Sequence, residues 1–373
     1  MKIILSGGGT GGHITPALAI ADALVRADND TKILFVGSKK GMENTLVPNG
    51  GYPIWSIDSA GYKRGKVLEN VKTVFKNIKA LSEAEKIIEK FRPDGVIGTG
   101  GYVCFPIIYQ ASKKGIYTAL HESNAVAGLA VKLLASRVDR IFLNFGECEN
   151  SIKDKEKILQ YGNPLRTALA GSSRNEARKE LLGSGGYRKL ILSFGGSLGA
   201  QALNDAALDI MREVSSGNKF VKHIHASGKQ GYNEFYKKFC EHGFDKCPNI
   251  ELREYIYDMP KVMQAADVVI SRCGAMTLSE IAAAGRASVL IPSPNVTDDH
   301  QFKNAMAFSN GGAAFVVSER SGEEMAKISQ YVETLITDDA LRASMESNAR
   351  KFDYPGAADA IAARIIKEIK NRT

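Results

Sequence analysis

Two periods of hydrophobic and polar positions alternate along this chain. Short apolar runs close on glycine or polar turn residues at KIIL (2–5), ILFVG (33–37), VIG (96–98), LILS (190–193) and VVIS (268–271), which is the length and texture of buried strands. Between them, segments such as ITPALAIADALVRA (14–27) and AQALNDAALDIMREV (200–214) carry apolar residues at helical spacing. Strands alternating with amphipathic helices predict an α/β chain of parallel sheets with crossover helices. The pattern also repeats. KIILSGGGTGG (2–12) matches KLILSFGGSLG (189–199), and DGVIGTGG (94–101) echoes DVVISRCG (267–274), so one strand, glycine loop and helix plan is used twice. Two doubly wound domains follow.

The seam falls at YGNPLR (161–166), where Asn163-Pro164 interrupts the pattern before a glycine- and serine-containing stretch, predicting domains over 1–163 and 164–373. The last helix, after Pro355, fits either domain. In such folds ligands bind at the carboxyl ends of the strands, where both halves carry their glycine loops, so the expected active site is the cleft shared by the domains.

Composition narrows the class. With 373 residues and 44% hydrophobic content, each domain can bury its own core. The five cysteines, Cys104, Cys148, Cys240, Cys247 and Cys273, are odd in number and never spaced CxxC, which points to a reducing cytoplasm rather than a disulfide or zinc framework. MKIIL runs straight into a glycine loop without a signal-peptide pattern, and no apolar run reaches the roughly 20 residues of a membrane span. A net charge of +8 favours acidic partners such as phosphates and anionic lipids. Basic residues are spread out and no RRM, KH or zinc-finger signature occurs, so nucleic acid is not expected.

Gly7, Gly9 and Gly12 satisfy GxGxxG, a weak signal in so glycine-rich a stretch, and the second strand ends in Gly37-Ser38-Lys39 without the acidic residue a nicotinamide site requires. What remains is a loop that lets backbone approach a ligand, followed by a helix N-terminus. His13 stands at that junction. The positive helix end disfavours imidazolium, leaving a ring suited to accept a proton; the alternative is a histidine that only hydrogen-bonds the loop. FGGSLGA (194–200), with Ser197, is an anion cradle suited to a diphosphate. Thr277 and Glu280 fit a T-x-x-E capping box, so Glu280 either caps its own helix or accepts the hydroxyls of a ribose. Asp298, Asp299, His300 and Gln301 form a polar cluster after a Pro-x-Pro loop, and Asp28-Asn29-Asp30 is a turn rather than a metal site, so no metal and no cofactor is expected.

Taken together, GGTGGHITPALAIA (8–21), GTGGYVCFP (98–106), HESNAVAGLA (121–130), YGNPLR (161–166), FGGSLGA (194–200) and SRCGAMTLSEIAAAGR (271–286) resemble the MurG family of N-acetylglucosaminyltransferases over nearly the whole chain and in the same order. The resemblance implies a GT-B fold, two Rossmann-like domains facing across a cleft. It implies an inverting, metal-independent transfer from UDP-N-acetylglucosamine to the 4-hydroxyl of the muramoyl sugar of lipid I, giving lipid II for peptidoglycan. It assigns Thr10, Gly11 and Gly12 to the donor loop, Asn124 to the donor sugar, and Arg166 and Ser197 to the diphosphate. Ile256 would read the uracil through its backbone. Ala275, Met276, Thr277, Leu278, Ser279 and Glu280 would wrap the nucleotide, with Glu280 on the ribose, and Gln301 would meet the sugar hydroxyls. His13, as the base, and Tyr102 fall on the acceptor side. Phe105, Ser123 and Ala127 depart from the family pattern in the acceptor half.

The segment GYKRGKVLENVKTVFKNIKAL (61–81) sets Leu68, Val71, Phe75 and Ile78 at helical spacing beside Lys63, Arg64, Lys66, Lys72, Lys76 and Lys79, opposed only by Glu69. This predicts either an ordinary crossover helix or a basic face that holds the protein peripherally on an anionic membrane, at its cytoplasmic side. Rival functions are a UDP-N-acetylglucosamine epimerase on the same fold and a non-catalytic UDP-sugar-binding regulator.

Overall fold

The structure, a computed structural model, describes all residues except 62–66, 167–172, 184–185, 197 and 373, and omits the side chains of 67–72, 74 and 75. The chain divides into two compact units, Met1–Arg166 with Tyr354–Thr373, and Thr167–Asp353.

In the first unit the strands are β1 (Lys2–Gly7), β2 (Lys32–Ser38), β3 (Ile54–Ile57), β4 (Gly95–Gly100), β5 (Tyr117–Glu122), β6 (Arg140–Leu143) and β7 (Ile158–Gln160). They pair in the order β3-β2-β1-β4-β5-β6-β7, all parallel. Helices α1 (Gly11–Ala27), α2 (Glu43–Asn49), α3 (Val67–Phe91), α4 (Cys104–Lys113) and α5 (Leu129–Leu134) make the crossovers. β4 and β5 are buried along their whole length, as strands covered on both faces must be. One face packs Ile4, Val96, Ile107 and Leu120; the other packs Ile3, Leu5, Ile20 and Leu24.

The second unit repeats the plan with β8 (Lys189–Phe194), β9 (Val221–Ala226), β10 (Ile250–Arg253), β11 (Val268–Ser271), β12 (Ala287–Leu290) and β13 (Ala314–Val316). Their order is β10-β9-β8-β11-β12-β13, again all parallel. The helices are α6 (Arg174–Leu182), α7 (Gln201–Ile210), α8 (Tyr232–Glu241), α9 (Met259–Ala265), α10 (Ala275–Ala284), α11 (His300–Asn310), α12 (Gly322–Ala326), α13 (Ile328–Thr337) and α14 (Asp339–Arg350). In both sheets the strand order reverses beside the first strand of the unit, between β1 and β4 and between β8 and β11. That is the switch point at which a doubly wound sheet opens a crevice for ligands.

The final helix, α15 (Ala357–Lys370), which the sequence left unassigned, packs in the first unit. Ile361, Ala362, Ile365 and Ile369 join the core under α1, and Glu368 accepts hydrogen bonds from Arg140 (2.7 Å) and the Tyr117 hydroxyl (3.0 Å). Tyr354 packs on Gly162, where a Cβ would stand 2.3 Å from that of the tyrosine.

Candidate functional site

In the first unit the switch point is built from backbone packed on backbone. The Gly8 N–H donates to the Gly100 carbonyl (3.3 Å), and a Cβ on Gly101 would lie 2.4 Å from the Gly8 oxygen. Gly100, at φ +112°, leaves room for the His13 ring, which a Cβ there would strike at 2.5 Å. Thr99 closes the joint, its hydroxyl donating to the His13 carbonyl (2.7 Å). Nδ1 of His13 lies 3.0 Å from the Gly8 carbonyl. A carbonyl only accepts, so Nδ1 carries the hydrogen and Nε2 keeps its lone pair.

Thr10 is the N-cap of α1 but makes no side-chain cap, so the first-turn amides of Gly11 and Gly12 receive none from it. Tyr102, half-exposed, stands beside Gly9. Asn124 is held by a carboxylate. Glu122, buried at the end of β5, accepts from the Asn124 N–H and Nδ2 (3.0 Å each) through Oε1, and from the Gly128 N–H (2.8 Å) through Oε2. Phe105 packs on the core and stacks with Tyr109 at 5.8 Å. Ser123 and Ala127 are buried, their backbones held by Asn144 and Ser151. Arg166, expected at a diphosphate, pairs instead with Asp22 of α1 (2.8 Å).

In the second unit two helix N-termini meet at the switch point. α7 begins after Gly195, Gly196 and Gly199, and Gly199 lies so close to the next loop that a Cβ would come 2.2 Å from the Ser227 carbonyl. Ser197 lies outside the described residues. α10 follows Gly274. Neither helix has a side-chain cap from its N-cap residue or an acidic residue in its first turn, so each presents the positive end of its dipole to an anion.

The capping-box reading of Glu280 is overturned here. The helix starts at Ala275 with Gly274 as N-cap, which puts Thr277 and Glu280 in its interior, too far along to cap it. The Glu280 carboxyl has no partner among the described residues, and burial pushes it up to about 7. Ala275, Leu278 and Ser279 are buried, whereas Met276 and Thr277 are partly exposed. The Ile256 side chain is buried. Oε1 of Gln301 accepts from the Ser293 N–H (2.9 Å) and the Cys273 N–H (3.3 Å), tying the loops after β12 and β11 together and leaving Nε2 as the donor end of the amide. Asp298 and Asp299, just before it, both hold φ +54°, a left-handed backbone rare outside glycine.

Sequence reasoning missed Thr99, Glu122 and Glu43, whose carboxylate holds the first glycine loop. A lone glutamate in GMENTLVP (41–48) carries no motif, and only the proximity of its loop to Gly9 marks it.

Two doubly wound parallel units, with glycine loops and uncapped helix ends at their switch points, are the architecture of the GT-B fold. Residues 3–143 match the glycosyltransferase family 28 N-terminal domain, and residues 190–361 match the family's C-terminal domain. The UDP-N-acetylglucosamine–N-acetylmuramyl-(pentapeptide) pyrophosphoryl-undecaprenol N-acetylglucosamine transferase of Acetivibrio thermocellus is 41% identical, covering 100% of this chain and 99% of its own. The transferase of the same name from Halalkalibacterium halodurans is 38% identical over 99% of each. The crystal structure of Acinetobacter baumannii MurG superposes with a TM-score of 0.77 at 29% identity, covering 98% of this chain and 99% of that one. The chain belongs to glycosyltransferase family 28 and, within it, to the MurG family. A UDP-N-acetylglucosamine 2-epimerase from Neisseria meningitidis, at 13% identity and a TM-score of 0.68 over 98% of this chain and all of its own, shares the fold alone.

Proposed function

We propose that this protein transfers N-acetylglucosamine from UDP-N-acetylglucosamine to the 4-hydroxyl of the muramoyl sugar of lipid I, with inversion at the anomeric carbon, to make lipid II. What carries the reading is the 41% identity, end to end, with a transferase of that name. Neither rival has comparable support: the epimerase likeness is one of fold, and a non-catalytic regulator has no need of a histidine whose Nε2 lone pair is kept available.

The site residues divide by role. On the donor side, the Ile256 peptide reads the uracil, Glu280 accepts the ribose hydroxyls, and the α7 and α10 amides with Ser197 and Arg166 take up the charge growing on the diphosphate. Arg166 would have to leave Asp22 to do so. Gln301 donates its amide N–H groups to the sugar, Asn124 contacts the sugar as well, and Thr10 through Gly12 complete the donor loop. On the acceptor side, Nε2 of His13 takes the proton from the attacking hydroxyl and Tyr102 borders the path. The chain works on the cytoplasmic face of the membrane, held there by anionic lipid through the basic segment 61–81. Consistently, no helix among the described residues is long and apolar enough to cross a bilayer. Release of UDP, measured with and without a soluble lipid I analogue, tests the whole reading. Acceptor-dependent release is expected, whereas UDP released equally without acceptor would indicate hydrolysis of the donor, conversion of the donor to an isomeric UDP-sugar without net UDP release an epimerase, and no turnover of the donor at all a binding protein.

A further inference from the structure

One peptide group, the link between Gly8 and Gly9, is gripped at both ends. Its N–H donates to Oε2 of Glu43 (3.1 Å), and its C=O accepts from Nδ1 of His13 (3.0 Å). Glu43, the first residue of α2, is fully buried. Its other oxygen, Oε1, accepts from the Ser38 N–H (2.8 Å) and hydroxyl (2.6 Å). The surroundings are shaped to this side chain: a Cβ on Gly8, Gly37 or Gly41 would come within 2.6, 2.6 or 2.0 Å of its atoms. Burial works to raise the Glu43 pKa, but the hydrogen bonds from Ser38 and Gly9 outweigh it and the net displacement is downward, so the group is a carboxylate.

We infer that Glu43 is a positioning residue for the transfer, acting on His13 through the Gly8–Gly9 peptide group; this rests on the proposed role of His13 as the base. A carboxylate bonded to a peptide N–H draws electron density toward that peptide's oxygen, because hydrogen bonds in a chain polarise one another. The oxygen then holds the Nδ1 hydrogen more firmly. That fixes the tautomer with the Nε2 lone pair free and stabilises the imidazolium formed when Nε2 accepts a proton, the service an aspartate performs directly in a catalytic triad. In the transfer, the acceptor oxygen gives its proton to Nε2 and bonds to the anomeric carbon, while the bond from that carbon to the diphosphate breaks and UDP leaves with the electron pair.

Glutamine cannot substitute for Glu43. It has a single acceptor oxygen, so its NH2 would confront either the Gly9 N–H or the Ser38 donors. The titratable groups facing the assembly from neighbouring elements are His121 at the end of β5, Cys104 at the start of α4, Tyr102 before it, and Glu122. Burial holds His121 neutral, pushed down to about 4, and pushes the Cys104 thiol up to about 12. Glu122 is bound to Asn124 and Gly128.

The experiment uses the full chain with 15N-labelled histidine, comparing wild type, Glu43→Gln and Ser38→Ala by the ring nitrogen resonances of His13 and by the pH profile of kcat on a soluble lipid I analogue. In Glu43→Gln the His13 ring should lose its single tautomer and titrate about half a pH unit lower or more, while kcat falls about tenfold and its acid limb moves to lower pH. The KM for UDP-N-acetylglucosamine should stay within about twofold, since the relay touches no donor contact. Ser38→Ala keeps the carboxylate and removes one competing donor, so its ring titration should move the opposite way, which also covers a Glu43→Gln protein that does not fold. An unchanged tautomer and titration in the variants that fold overturns the inference, whatever happens to the rate. A His13→Ala protein with near wild-type kcat overturns instead the base reading beneath it, and the ring resonances tell the two failures apart.

Discussion

Glu280 illustrates how a single residue's surroundings separate two readings that sequence leaves equal. A carboxylate that caps a helix is charged and satisfied, whereas this one lies inside α10 with burial pushing it up to about 7. A diol ligand would supply the missing hydrogen bonds to its charged form. The KM for UDP-N-acetylglucosamine is therefore expected to rise as pH falls below about 7, approaching a tenfold rise per unit well below it, while Glu280→Gln shows a high and pH-independent KM. Because the empty enzyme carries this carboxylate at a cost, the glutamine variant should melt no lower than wild type. A lower melting temperature with unchanged KM would sink the ribose role. For His13, with Nε2 left as an acceptor, changing the residue to alanine should reduce kcat by roughly 10²-fold or more with little change in UDP affinity, as measured by steady-state kinetics and UDP titration.

At the scale of the element, α3 joins packing to proposed membrane contact. Thr73, Ala80, Ala84, Ile87 and Ile88 are buried, and Ala80, Ala84, Ile87 and Ile88 belong to the core, so part of the helix is an ordinary crossover helix. Ile78, by contrast, is 59% exposed, and Lys76 and Lys79 are exposed with only long ion pairs to Asp58 (3.8 Å) and Glu83 (3.9 Å). Lys63, Arg64 and Lys66 lie outside the described residues, as do the side chains of Leu68, Val71, Lys72 and Phe75. Exposed pairs this long add little to stability, which leaves these lysines available to lipid phosphates at about 1 kcal/mol each. Changing Lys63, Arg64, Lys66, Lys72 and Lys76 to glutamine should reduce sedimentation with phosphatidylglycerol vesicles and lower activity on vesicle-bound acceptor, yet spare activity on a short-chain soluble one. Equal vesicle binding by variant and wild type at low salt would make the segment a solvated face.

For the whole molecule, both units carry buried neutral histidines. Burial pushes His121 down to about 4 and His223 and His225 to about 3; the latter two share the Ser193 hydroxyl, at 2.8 Å from each. Their folded pKa values lie below the unfolded value near 6.5, so the stability they contribute is complete above that pH and is lost as pH falls toward 4 and 3. Glu280 acts the other way, taking up a proton in the folded state as pH drops through about 7. Three groups oppose one, so the melting temperature should fall by roughly 5 °C or more between pH 7 and pH 5, above the range where ordinary carboxylates protonate. The fall should be steeper in Glu280→Gln. A flat profile across that interval would contradict the account.

Sequence periodicity by itself determined the two parallel units, because strand and helix spacing are local properties, and the repeated glycine loops already marked both switch points. Motif likeness named the family and pointed to His13, Asn124 and Glu280. Only tertiary structure decided what those residues can do. The start of α10 at Ala275 removed a capping role that four letters of sequence had allowed. Packing of Ile361 and Ile365 beneath α1 assigned the last helix to the first unit, more than three hundred residues away in the chain. Glu43 and Glu122 became visible as clamps only when folding brought Gly9, Ser38, Asn124 and Gly128 to their oxygens. The physical reason is common to all of these. A side chain's charge state and hydrogen-bond partners are set by neighbours distant in the chain and by burial, and neither is a property of local spacing.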